Sequence, residues 1–268
     1  MTVLYALGSG SGGNCFAIAA DGAVLLIDAG FGARETERRA ELVGLRLDAL
    51  VAIALTHEHG DHSRGARRLA SQFGVPVLSS PATWSCIETG AGCDHLPIGL
   101  GQRVQVGPFQ VEGCPTSHDA AGPLAIVARD DRGIGVGLAY DLGRATSALR
   151  YLLRGLTALV LEANHDEVRL RTSEYPPSVQ RRIAGSAGHL SNRAAAQLLT
   201  ELHHPDLAAV VLAHLSQRCN TREDVLTTIG PALKRAGFAG TLYVADQDTP
   251  LGPIALSRPI RAQLSLAL

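Results

Sequence analysis

The chain has 268 residues, 46% of them hydrophobic, and a formal net charge of −1. That supports a continuous core, and no apolar run approaches the roughly 20 residues of a membrane span. The near-neutral balance gives no electrostatic footprint for nucleic acid or an anionic membrane, and five cysteines without CxxC spacing read as buried apolar residues of a reducing, cytoplasmic protein.

The N-terminal MTVLYALGSGSGGN reads as a first strand entering a glycine-rich turn, without the basic start of a signal peptide. Short apolar runs bounded by turn residues predict strands over 3–7, 15–19, 23–27, 49–55, 75–78, 103–106, 110–115, 124–128, 135–139, 158–161, 208–213 and 241–244. Helical periodicity falls between them, over 33–42, 63–73, 147–153, 177–183, 191–202 and 221–236. Ser191 and Thr221 are the N-caps of the last two. Ala20-Asp21-Gly22 marks an early hairpin, so the sheet is mixed. No linker, repeat or low-complexity tract interrupts the chain, which predicts one domain over 1–268.

The chemistry concentrates just after the strand that ends at Leu55. THEHGDH, Thr56 to His62, places three imidazoles, two carboxylates and a glycine in seven residues. Where a strand leaves for a loop, alternate residues face one side, so His57 and His59 can converge on one cation. Asp61 and His62 turn toward a second position, and Gly60 frees the backbone between them. Neutral imidazole and carboxylate suit Zn²⁺, Mn²⁺ or Fe²⁺.

Further ligands stand at the ends of later strands: His118 in TSHD, Asp141 in AYDLG and His214 in LAHLS. Asp141 has two oxygens and can bridge two ions. A weak internal symmetry accompanies them. VAIALTH (51–57) and AVVLAH (209–214) each deliver a histidine at a strand end, while LLIDAG (25–30) and GVGLAYD (135–141) deliver an aspartate. The turn from Ser9 to Gly13, with Asn14, offers backbone amides to an anion.

The ordered series IDAG (27–30), THEHGDH (56–62), SHD (117–119), YDLG (140–143) and AHLS (213–216) resembles the metallo-β-lactamase-fold hydrolases over most of the chain. The resemblance implies an α/β (α+β) fold, a four-layer αββα sandwich with a dinuclear metal site at one edge. It assigns His57, His59 and His118 to a first ion, Asp61, His62 and His214 to a second, and Asp141 to the bridge. Asp28 supports the loop from behind by hydrogen bonding.

GSGSGGNC (8–15), SHDAAGP (117–123), LEANHD (161–166) and GHLSN (188–192) are similar to the YycJ/WalJ branch, and beyond it to phosphodiesterases of the ribonuclease Z type. In the latter a glutamate orients a histidine that protonates the leaving oxygen. The matching residues are Glu162 and His189, a pair that true β-lactamases lack. The chain has no room for a β-CASP domain and shows no long exosite arm.

The implied reaction is phosphodiester hydrolysis, as in a 5′ to 3′ DNA exonuclease. Two divalent ions, Zn²⁺ or Mn²⁺ with Fe²⁺ also compatible, share a hydroxide about 3.5–4 Å apart. Asp61 belongs to that catalytic set, and His189, held by Glu162, gives a proton to the departing oxygen. Asn14 and His165 are candidate substrate contacts, and Arg64, Arg67, Arg68, Arg181 and Arg182 candidate phosphate contacts. Partners are then DNA or a small phosphodiester, with no membrane. The alternative is a small-molecule hydrolase of the same fold, acting on a cyclic phosphodiester, a thioester or a lactone. A non-enzymatic metal or redox module is the second rival.

Overall fold

The structure is a computed structural model that describes residues 1–87 and 93–257. It begins with an antiparallel meander of β1 (Thr2–Gly8), β2 (Cys15–Ala20) and β3 (Ala23–Ile27). The β2–β3 turn holds Asp21 and Gly22 at φ 50° and 80°, the left-handed pair whose twist matches that of a hairpin. Helix α1 (Ala33–Leu42) crosses to β4 (Leu50–Ala54), parallel to β3. Then α2 (Gly60–Ser63) and α3 (Ala66–Phe73) lead to β5 (Val77–Ser79). After α4 (Pro81–Cys86) comes β6 (His95–Pro97), and both new strands add in parallel.

The second half repeats the plan. β7 (Arg103–Val106), β8 (Phe109–Pro115), β9 (Leu124–Asp130) and β10 (Gly135–Ala139) form an antiparallel meander. α5 (Ser147–Leu152) leads to β11 (Ala158–Glu162). Three helices follow, α6 (Glu167–Arg171), α7 (Pro177–Ile183) and α8 (Asn192–Leu202), before β12 (Ala209–Ala213). α9 (Arg222–Arg235) delivers β13 (Thr241–Val244), and β10 to β13 are parallel. β14 (Leu251–Leu256) returns to pair with β1.

The strand orders are β14-β1-β2-β3-β4-β5-β6 and β7-β8-β9-β10-β11-β12-β13. Each sheet therefore runs through an antiparallel part and then a parallel part in the same sequence. This equates β3 with β10, β4 with β11 and β5 with β12. The aspartate repeat sits on equivalent strands, since Asp28 follows β3 and Asp141 follows β10. The histidine repeat does not, because His57 follows β4 while His214 follows β12. The counterpart of His57 is His165, three residues beyond β11 as His57 is three beyond β4.

Alternation along the strands fills three apolar layers. Phe16, Ile18, Leu25 and Ile27 of one sheet meet Val111, Ile126, Leu138 and Val160 of the other. The outer face of the first sheet packs Leu26 and Ile53 against Ala40 and Leu69 of α1 and α3. The outer face of the second packs Val127, Leu161 and Val210 against Leu149, Leu199 and Ile229 of α5, α8 and α9. This is the αββα sandwich. Central strands are covered on both faces, so β3 and β12 are buried at every position and read as unbroken apolar runs.

Some elements depart from the sequence pattern. The helix expected over 63–73 breaks at Gly65, where a Cβ would lie 2.1 Å from the Phe31 carbonyl oxygen. Its N–H donates instead to Ala29 O at 2.7 Å, tying the helix start to the loop after β3. β6 and β14 carry proline within short runs, which masks a strand signal. Helices α4 and α6 have six and five residues, too few to show a period. Each starts at a side-chain cap, Ser80 before Pro81 and Asp166 before Glu167.

Candidate metal centre

The carboxyl ends of the parallel strands of both sheets meet at one edge, the region where open α/β sheets place their sites. Asp28, just past β3, is fully buried there. Its Oδ1 accepts from the Thr56 N–H at 2.8 Å, and its Oδ2 accepts from the Thr56 and Tyr140 hydroxyls, both at 2.8 Å. Oδ2 also lies 2.7 Å from His62 Nδ1. That bond places the ring proton on Nδ1 and leaves the Nε2 lone pair facing outward. The loop can pass this closely because residue 30 is glycine: a Cβ would lie 1.7 Å from Asp61 O.

Asp28, Asp141 and His214 all adopt left-handed backbone, with φ of 59°, 54° and 54°. Such conformations cost non-glycine residues of order 1–3 kcal/mol and concentrate at functional sites. Here each turns a strand end inward.

Donor atoms of His57, His59 and His118 lie within 4.8 Å of one another, as do those of Asp61, His62 and His214, and those of His57, His62 and Asp141. His57 Nε2 approaches His59 Nδ1 to 3.1 Å, and His62 Nε2 approaches Asp141 Oδ2 to 2.8 Å. With Nε2 unprotonated, the second contact sets lone pair against lone pair. Asp141 Oδ2 and His214 Nε2 are buried without hydrogen-bond partners. Nitrogen and oxygen donors converging with bare lone pairs fit divalent cations, which satisfy all of them at once.

Because β10, β11 and β12 are adjacent and parallel, Asp141, Glu162 and His214 fall side by side. Glu162 is fully buried. Its Oε2 accepts from Leu142 N at 3.1 Å and Leu190 N at 3.0 Å, and its Oε1 lies 2.8 Å from His189 Nδ1 and 3.2 Å from His214 Nδ1. His189 is partly exposed and also touches Asp141 Oδ1 at 3.2 Å.

Burial pushes the Glu162 carboxyl up, but the charge and hydrogen bond of His189 outweigh it and hold it at about 2. Burial likewise pulls His189 down, and Glu162 and Asp141 override it to about 10. His57 is pushed down by burial and then by His62, so its ring is neutral. Burial pulls His62 down, but Asp28 and Asp141 drive it well up, so a proton competes with a cation for Nε2. The edge is a negative field that gathers positive charge.

A cavity of about 250 Å³ opens here, with His59, Asp61, His118, Asp141, His189 and His214 on its wall. Ser11, Asp119 and Arg182 also line it; Arg64, Arg67, Arg68 and Arg181 do not. Asn14 stays behind the wall, fully buried. Its Oδ1 accepts from Ser9 Oγ at 2.9 Å and Gly10 N at 3.0 Å, and its Nδ2 lies 3.1 Å from His62 Nε2. It braces the glycine-rich turn. His165 is 2% exposed and lines a neighbouring cavity. Thr56 and Tyr140 stood inside motifs read for their neighbours, and only the contacts to Asp28 reveal them. No helix among the described residues is long and apolar enough to cross a membrane.

An αββα frame with two His/Asp donor sets at one edge defines a class of protein, and residues 8–95 match the model of the metallo-beta-lactamase superfamily. The structure of the metallo-beta-lactamase fold protein YhfI from Bacillus subtilis aligns at a TM-score of 0.70 and 16% identity, over 94% of this chain and 100% of that one. Exodeoxyribonuclease YycJ of Bacillus anthracis is 32% identical over 238 residues, 87% of this chain and 89% of its own. Exodeoxyribonuclease WalJ of Streptococcus pneumoniae serotype 2 (strain D39) is 28% identical over 255 residues, 91% and 94% of the two chains. The chain belongs to the metallo-beta-lactamase superfamily and, within it, to the YycJ/WalJ family.

Proposed function

We propose that the protein is a metal-dependent phosphodiester hydrolase acting on DNA as a 5′ to 3′ exonuclease. The observation that carries this reading is the Glu162–His189 contact of 2.8 Å beside Asp141. A proton donor poised next to a metal pair suits a bond whose leaving group is a poor one, such as a sugar alkoxide. The kinship with exodeoxyribonucleases supports DNA as the polymer.

In this reading His57, His59 and His118 would hold one ion and Asp61, His62 and His214 the other, with Asp141 offering its carboxylate to either. Zn²⁺ and Mn²⁺ both suit the donors. Once bound, the ions lower the pKa of a water and neutralise non-bridging phosphate oxygens. The chain does the rest. Asp28 aims His62, and Arg182 and Ser11 at the rim receive the phosphate. Glu162 holds His189 Nδ1 and leaves Nε2 to the departing oxygen. The water gives up one proton to solvent as its oxygen joins phosphorus, the bond from phosphorus to the sugar oxygen breaks, and the His189 proton passes to that oxygen. Each donor set draws on both halves of the chain, which supports residues 1–268 acting as one unit. Five cysteines without a disulfide support a cytoplasmic setting.

The test is to incubate Mn²⁺-loaded and Zn²⁺-loaded protein with 5′-labelled DNA, RNA and bis-p-nitrophenyl phosphate, alongside Asp61→Ala. Expected is stepwise loss of DNA from the 5′ end, abolished in the variant. Cleavage of the chromogenic diester or an ester with intact polymers favours the small-molecule reading instead.

A further inference from the structure

Beside the metal cavity lies a second one of about 320 Å³, and His189 lines both. Its apolar walls are Leu170, Leu190, Ala184 and Ala194, and its polar groups besides His189 are His165, Glu167, Ser191 and Arg171. His165 is 2% exposed, and its Nδ1 has no hydrogen-bond partner. A buried ring nitrogen left bare is costly, and a ligand that completes the bond relieves that cost. His165 also occupies the strand-end position that His57 holds in the first half. Among the described residues it joins no group of three or more metal donors.

Glu167 decides what kind of ligand fits. Its Oε1 accepts from Ser191 Oγ at 2.9 Å, and Arg193 approaches Oε2 only to 3.7 Å. A carboxylate so weakly neutralised accepts from an amine, while the exposed Arg171 on the same wall is left for a phosphate of the same nucleotide. Apolar walls, a bare ring nitrogen and a carboxylate acceptor together complement the face and edge of a nucleobase with an exocyclic amine. The volume is at the low end of the ~300–1,000 Å³ typical of ligand pockets, room for one nucleoside and not for a chain.

We infer that this cavity binds the base of the nucleoside whose oxygen departs, with His189 standing between that base and the reacting phosphate. The inference rests on the phosphodiesterase reading above. It makes the adjacent pocket the part of the enzyme that positions the departing nucleotide.

The experiment uses Mn²⁺-loaded enzyme and cytosine pentanucleotides with an abasic sugar on one side or the other of the first linkage cleaved. Product analysis identifies which nucleoside carries the departing oxygen. Removing the base on that side is expected to lower kcat/KM roughly tenfold or more, since holding a base is worth about 1–3 kcal/mol. Removing the base on the other side changes it less. Ala184→Phe, at an exposed position on the cavity wall, brings the ratio of intact to abasic substrate toward one. Equal rates on all pentanucleotides with wild-type enzyme, or a ratio that survives Ala184→Phe, overturn the pocket while leaving the hydrolytic reading intact. Wild-type enzyme that cleaves neither pentanucleotides nor DNA overturns both. Should the variant fail to fold, the wild-type ratio alone decides.

Discussion

Thr56, Tyr140 and His62 all turn to Asp28, a carboxylate with no exposure at all. Asp28→Ala leaves these groups without their acceptor and His62 without its orientation. Metal affinity is expected to fall about 10–100-fold, the usual cost of losing a partner behind a ligand, as read by competition with a chromogenic chelator. His189 makes a different prediction, because its proton matters only where the leaving group needs one. His189→Ala should lower kcat on DNA by ~10²–10⁴, with a much smaller loss on bis-p-nitrophenyl phosphate, whose nitrophenolate leaves unprotonated. Equal losses on both substrates would remove His189 from the role of acid. At this scale the motifs announce clustered donor side chains, but not the hydroxyls that hold Asp28. His57 and His62 stand out as clustered imidazoles, whereas Thr56 and Tyr140 are ordinary strand-end residues until Asp28 is placed beside them.

At the scale of elements, caps and strand ends were the readable features. Thr221 accepts from Asp224 N at 3.1 Å and donates to Asp224 Oδ2 at 2.6 Å, closing the first turn of α9. Thr221→Ala is expected to cost about 1 kcal/mol in urea unfolding, with little effect on metal binding because the cap lies outside both donor sets. Central strands such as β3 and β12 were legible because both faces are covered and every position is apolar. The short elements were not. α4 and α6 hold little more than one turn each, and β6 and β14 carry prolines. The break at Gly65 also escaped the pattern, since nothing in 63–73 says that the Phe31 carbonyl passes within van der Waals distance. The histidine repeat misled for a related reason. It matched sequence shape, while strand order decides which positions are equivalent.

Across the whole molecule, Asp130 links the two sheets. At the end of β9 its side chain accepts from the Thr2 hydroxyl of β1, from Ile134 N at 2.8 Å and from Arg132 Nη2 at 3.0 Å. Burial pushes its pKa up, but these bonds outweigh burial and hold it below the ordinary 3.8. The folded form thus binds its proton less readily than the unfolded chain. The stability this contributes is fully present above pH ~4 and is lost as pH falls through and below that value. Asp130→Asn should destabilise by about 1–3 kcal/mol at pH 7, and the gap between variant and wild type should narrow toward pH 3 in denaturant titrations. A constant gap across that range would mean that the charge contributes nothing.

The amino-acid sequence by itself determined the periodic elements, the chemical identity of the donors and the clustering of THEHGDH, because these depend on neighbours a few residues apart. It also carried the resemblance that ordered the remaining donors. The tertiary structure alone decided that Asn14 faces inward to brace a turn, that Asp28 gathers three partners, and that His165 borders a separate cavity. Those outcomes depend on strand register and on two sheets meeting face to face. They bring together groups far apart in the chain, whose approach no local pattern records.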